Sequence, residues 1–164
     1  MNEIWDFAKS LEREGRDYYV TLAQETSVPE LKGVFNQMAD EESRHYNLFD
    51  EISKKHPANG GSEEDILGNA RKAFEAISAK FSESAVINDS ENAYKKALGL
   101  EKKSVQYYKD ALEKVKASDA RDVLGFIIGE EKKHVRIVEE IIRMVRNPKQ
   151  WVEDAEFSKI DSRY

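Results

Sequence analysis

A chain of 164 residues is long enough for one domain with a buried core. Its formal charge of −6 argues against nucleic acid, which needs clustered Lys and Arg, and the lack of cysteine excludes disulfides, iron–sulfur clusters and thiolate metal sites. Charged residues at 35 %, hydrophobic ones at 40 % and only three prolines suit long solvated helices rather than sheet or disorder. The opening Met1-Asn2-Glu3-Ile4-Trp5-Asp6 has neither the basic region nor the apolar run of a secretory signal, and no stretch approaches membrane-spanning length. A cytoplasmic protein that engages neither membrane nor nucleic acid is expected.

Apolar residues recur at three- and four-residue intervals in four long segments, the period of an amphipathic helix. The first, about residues 3–25, carries Ile4, Ala8, Leu11, Gly15, Tyr19 and Leu22 on one stripe. The second begins near Pro29 and carries Leu31, Phe35, Met38, Phe49 and Ile52, with Ser27 as its expected N-cap and Pro29 in the first turn. The third, from about Ser90, shows Ala97, Leu98, Val105, Tyr108 and Leu112. The fourth, from about Ser118, shows Val123, Leu124, Ile127, Val138, Ile141 and Val145 and is expected to stop at Asn147-Pro148. Short links near 26–28 and 116–119 make each pair an antiparallel hairpin, 3–55 and 90–146.

Between the hairpins, residues 56–89 form a crossover that opens with a Pro/Gly loop and then gives an extra helix from the N-cap Ser62 to about Phe81. His56, in that loop, is expected to be solvated. Residues 147–164 form a tail whose Trp151, Val152, Phe157, Ile160 and Tyr164 are expected to pack on the bundle or on a partner chain. The whole reads as an all-α domain over 1–146, a four-helix bundle of two repeated hairpins, followed by that tail.

The chemistry lies in the charges that interrupt the stripes. Glu42-x-x-His45 occupies the centre of the second stripe and Glu131-x-x-His134 the centre of the fourth, where leucine would be expected. Glu12 interrupts the first stripe and Glu101 the third, and the intervals repeat, since 101−12, 131−42 and 134−45 all equal 89. Burying an unpaired carboxylate costs several kcal/mol, and four together repel. Two divalent cations resolve this, because they balance four glutamates while the imidazoles bind neutral. Residues three apart share a helical face, so each Glu-x-x-His can present both groups to one ion or to neighbouring ions. Mixed carboxylate and imidazole ligation suits iron or manganese better than magnesium or calcium. Tyr19 and Tyr108, two turns from their glutamates, are read first as core packing and second as hydrogen-bond donors to carboxylates surrounding the ligands, or as electron relays. Glu41 and Glu130 point off the stripes and are assigned to the surface.

In Leu11-Glu12-Arg13-Glu14-Gly15-Arg16-Asp17-Tyr18-Tyr19, Glu41-Glu42-Ser43-Arg44-His45, Leu100-Glu101 to Tyr108, and Glu130-Glu131-Lys132-Lys133-His134 the chain resembles the rubrerythrin family of the ferritin-like superfamily. The resemblance implies a ferritin-like fold with Glu12, Glu42, His45, Glu101, Glu131 and His134 as metal ligands, and Glu42 and Glu131 as the bridging pair. Many rubrerythrins carry a rubredoxin module with a four-cysteine iron site; this cysteine-free sequence has none, so a separate electron-donor protein is expected. Rubrerythrins also tend to place a further glutamate one turn after the third-helix ligand. Here that position is Ser104, which implies a more symmetric site.

The resemblance implies two iron ions per chain, with manganese as the alternative, and an oxidoreductase that reduces hydrogen peroxide, or dioxygen, as protection against oxidative stress. No catalytic residue beyond the ligands is named. The alternative function is iron binding, ferroxidation or storage at the same site. A homodimer is the expected assembly.

Overall fold

Each of the four amphipathic segments forms a helix. The computed structural model describes residues 3–57 and 91–150. Among these lie α1 (Glu3–Glu25), α2 (Pro29–Lys55), α3 (Glu91–Lys114) and α4 (Ser118–Arg146), with no strand. The extra helix expected between Ser62 and Phe81, and the tail from Trp151 onward, lie outside the described residues.

Prolines set two of the helix boundaries. Ser27 was the expected cap of α2, but the N-cap is Val28, in extended conformation at φ −96° and ψ 110°. The reason is steric: the ring of Pro29 disfavours helical geometry in the residue before it, so the helix starts at the proline itself. The Val28 amide instead donates to Thr26 Oγ1 at 3.2 Å. At the other end of the chain, Asn147 precedes Pro148 and closes α4 with φ −146° and ψ 75°.

α1 packs along α2 and α3 along α4, while the two hairpins meet more loosely through α1 against α3 and α2 against α4. Tyr19 on α1 reaches Glu101 on α3, and Tyr108 on α3 reaches Glu12 on α1, so these two helices run antiparallel. α2 therefore ends, and α3 begins, at opposite ends of the bundle, which accounts for a connection as long as residues 56–90. This is the order of an all-α ferritin-like bundle.

The repeat extends to burial. Every buried position of α1 and α2 has a buried counterpart 89 residues later, apart from Ala23, whose counterpart Leu112 is half-buried. On α3 the buried stripe runs through Tyr94, Ala97, Leu100, Tyr107, Tyr108 and Ala111. Leu98, Val105 and Leu112, expected on it, are only partly buried, because the helix is turned toward the tyrosines.

The apolar core divides in two. One cluster gathers Tyr18, Leu22, Phe35, Met38, Tyr94, Val138 and Ile141 among others; the second gathers Trp5, Ala8, Leu11, Phe49, Tyr107, Leu124 and Ile127 among others. The layer between them is made of charged side chains. His56 is not simply solvated: its Nε2 pairs with Asp119 Oδ1 at 2.7 Å, joining the end of α2 to the first turn of α4.

Candidate metal centre

Four helices supply the charged layer. α1 gives Glu12, α2 gives Glu42 and His45, α3 gives Glu101, and α4 gives Glu131 and His134; all six are between 1 and 4 % exposed. The spacing of three places each Glu-x-x-His pair on one side of its helix, and the antiparallel crossing of α2 with α4 sets each histidine against the other helix's glutamate. His45 Nδ1 lies 2.9 Å from Glu131 Oε1 and 3.3 Å from Glu12 Oε2. His134 Nδ1 lies 2.9 Å from Glu42 Oε1 and 3.5 Å from Glu101 Oε1. The two imidazoles face each other with centroids 5.8 Å apart.

Despite these approaches, Glu12 Oε2, Glu42 Oε1, His45 Nδ1, Glu131 Oε1 and His134 Nδ1 make no hydrogen bond. Buried polar atoms without partners are rare, because each forfeits its hydration. Here five gather in one layer. Their surroundings fall into two groups, Glu12, Glu42, His45 and Glu131 on one side and Glu42, Glu101, Glu131 and His134 on the other, each with ligand atoms within 4.8 Å of one another. Glu42 and Glu131 belong to both. Converging oxygen and nitrogen donors without hydrogen bonds between them fit a pair of divalent ions.

The electrostatics describe the same strain. Burial raises the Glu42 and Glu131 carboxyls well above their usual range, and the neighbouring carboxylates add to it: Glu131 and Glu12 for Glu42, Glu12 and Glu101 for Glu131. Burial opposes charge on the imidazoles too, but the carboxylates beside them prevail and raise both to about 9: Glu12 and Glu131 act on His45, Glu101 and Glu41 on His134. Burial would also raise Glu101, yet His134 and the Tyr19 hydroxyl bring it below the ordinary carboxylate value.

The tyrosines both pack and bond. Tyr19 donates its hydroxyl to Glu101 Oε1, and Tyr108 donates to Glu12 Oε1. Burial and the adjacent glutamates hold both phenols well above their usual pKa, so they remain donors. Glu12 is thereby held by Oε1 while its Oε2 faces His45, whereas on Glu101 the Oε1 that Tyr19 holds is also the oxygen nearest His134 Nδ1. The adjacent Tyr18 and Tyr107 donate to the carbonyls of Ala93 and Ile4 at 2.6 and 3.1 Å, another pair that obeys the repeat.

Two residues of the site escaped the sequence reading. Glu41, assigned to the surface, sits with Oε2 2.7 Å from His134 Nε2. Burial pushes its carboxyl up, but hydrogen bonds from His134 and Gln37 bring it below the usual value, so it accepts the ring N–H as a carboxylate. In the neutral ring that would bind a metal, this fixes the tautomer that leaves Nδ1 free to face the site. Its repeat partner Glu130 is equally half-buried but bonds instead to Lys133 Nζ on its own helix, at 2.6 Å. Gly15 is the second: a Cβ there would stand 3.3 Å from the carboxyl carbon of Glu42, so the missing side chain leaves room for that carboxylate.

No helix among the described residues is long and apolar enough to cross a membrane. No curated protein and no solved structure matches the chain. The Rubrerythrin family matches residues 3–142. With that match spanning both hairpins and the carboxylate and imidazole layer between them, the chain belongs to the rubrerythrin family.

Proposed function

We propose that the protein is a non-haem di-iron oxidoreductase that reduces hydrogen peroxide, or dioxygen, with electrons from a separate cytoplasmic donor protein. The observation that carries this reading is the set of five buried donor atoms without hydrogen bonds, in two groups that share Glu42 and Glu131. Four glutamates and two neutral imidazoles balance two doubly charged ions, with iron favoured by the donor set and manganese the alternative. A pair of ferrous ions bound there would supply the two electrons that, with two protons, convert hydrogen peroxide to two waters.

The chain's own residues do the rest. Glu12, Glu42 and His45 would hold one ion with Glu131, and Glu101, Glu131 and His134 the other with Glu42. Tyr19 and Tyr108 keep Glu101 and Glu12 oriented, so ligand geometry survives a change of charge at the centre. The apolar clusters above and below exclude bulk water from the layer.

The test is turnover. Iron-loaded protein supplied with a reductant is expected to consume peroxide in proportion to the reductant oxidised, and Glu42→Ala to lose both iron and turnover. Iron that is retained without peroxide consumption, while added ferrous ion is oxidised by dioxygen and accumulates, would replace this reading with ferroxidation and storage.

A further inference from the structure

The contacts around the charged layer obey the 89-residue repeat closely. The histidines approach the opposite glutamates at 2.9 Å on both sides, and their own-side carboxylates at 3.3 and 3.5 Å. The tyrosine contacts to Glu101 and Glu12 are also repeat-related. The shortest departure is at the outer nitrogen of His134, beside weaker ones such as Tyr108 to the Ala8 carbonyl at 3.5 Å and His45 Nδ1 to Glu42 Oε2 at 4.0 Å. Glu41 accepts a hydrogen bond from His134 Nε2, whereas among the described residues no carboxylate pairs with His45 Nε2, and Glu130 turns to Lys133 instead.

The sequence gives the cause. Glu41 Oε1 is engaged by Gln37 Nε2 at 3.2 Å and approached by Arg44 at 3.6 Å, which leaves Oε2 for the histidine. The residue 89 positions after Gln37 is Phe126, which is 56 % exposed and has no donor to offer Glu130. Lys133, the counterpart of Arg44, then holds Glu130 at its own helix surface.

From this we infer that Glu41 is a positioning residue that makes the two ion positions unequal, so that the one served by His134 binds a divalent cation more tightly and fills first. The inference rests on the di-metal reading above. A carboxylate on the outer nitrogen fixes the ring's orientation and tautomer and increases the basicity of the inner nitrogen; losing such a partner typically costs about 10–100-fold in metal affinity. His45 has neither aid from Glu130, so near-identical inner donors would give different affinities.

The experiment titrates the stripped full-length protein with zinc, a diamagnetic probe, and follows the ring nitrogens of its three histidines by NMR, with His56 as the control outside the layer. His134 is expected to respond at lower zinc than His45. Glu41→Ala should weaken the first step by about 10–100-fold and merge the two responses, and Glu41→Gln, which keeps an acceptor but not the charge, should fall between. Glu130→Ala should change neither. Simultaneous response of His45 and His134 in the unaltered chain, or equal effects of Glu41→Ala and Glu130→Ala, would overturn the ordering while leaving the di-metal reading intact. No response at either ring would overturn both.

Discussion

At the scale of the residue, the site is a problem of charge solved by convergence. Glu42 contributes to both donor groups, so its loss removes a ligand from each. Glu42→Ala should abolish metal uptake at both positions, which metal analysis after reconstitution would read directly. Gly15→Ala separates stability from binding. Alanine inside a helix gains roughly 0.5–1 kcal/mol over glycine, so the fold should hold, but the new Cβ must push the Glu42 carboxyl aside from 3.3 Å. An unchanged or raised melting temperature with weakened metal binding is the expected pair of results. Tyr19→Phe should cost about 1–3 kcal/mol in unfolding experiments, because Glu101 loses the donor to a buried oxygen. The six inner residues were legible because charge in the middle of an apolar stripe has few explanations. Glu41 was not legible: periodicity puts it off the stripe, and only the crossing of α2 with α4 shows that it reaches His134. The substitution of Phe126 for Gln37 in the repeat was the available clue.

At the scale of the element, what the sequence revealed was the existence and order of four helices, while their faces were less certain. On α3 apolar residues occupy two adjoining faces, and periodicity alone chose Leu98, Val105 and Leu112 over Leu100 and Tyr107. The repeat would have decided correctly, since Leu100 and Tyr107 are the counterparts of the buried Leu11 and Tyr18. The start of α2 went to Ser27 because serine is a good cap, but the restriction that proline places on its predecessor prevailed. The same face assignments give a contrast. Phe35 is fully buried and Phe126 is 56 % exposed, so Phe35→Ala should cost about 3–5 kcal/mol and Phe126→Ala about 0.5 kcal/mol or less, measured by denaturant unfolding.

At the scale of the whole molecule, a charged layer between two apolar clusters makes stability depend on which cations occupy it. In protein stripped of metal, His45 and His134 have pKa values raised from 6.5 to about 9. Their contribution is therefore complete below the unfolded value and is lost as pH rises through the folded one. Glu42 and Glu131, also raised, act in the same sense from the carboxylate range upward, whereas Glu101, lowered, contributes above that range and loses its contribution in acid. Stripped protein should thus lose stability between pH 6.5 and 9, up to about 3 kcal/mol for each imidazole, seen as a falling melting temperature. Divalent metal should reverse the trend, because the ions displace those protons and bind more tightly as pH rises.

The central claim is that six buried side chains from four helices hold two metal ions. Reconstitution of stripped protein with ferrous iron under anaerobic conditions, followed by removal of free iron and measurement of iron per chain, tests it most directly. The account predicts about two irons retained per chain, as the ligand set of ferritin-like di-iron proteins requires. Retention of none, or equal retention by Glu42→Ala, would contradict it.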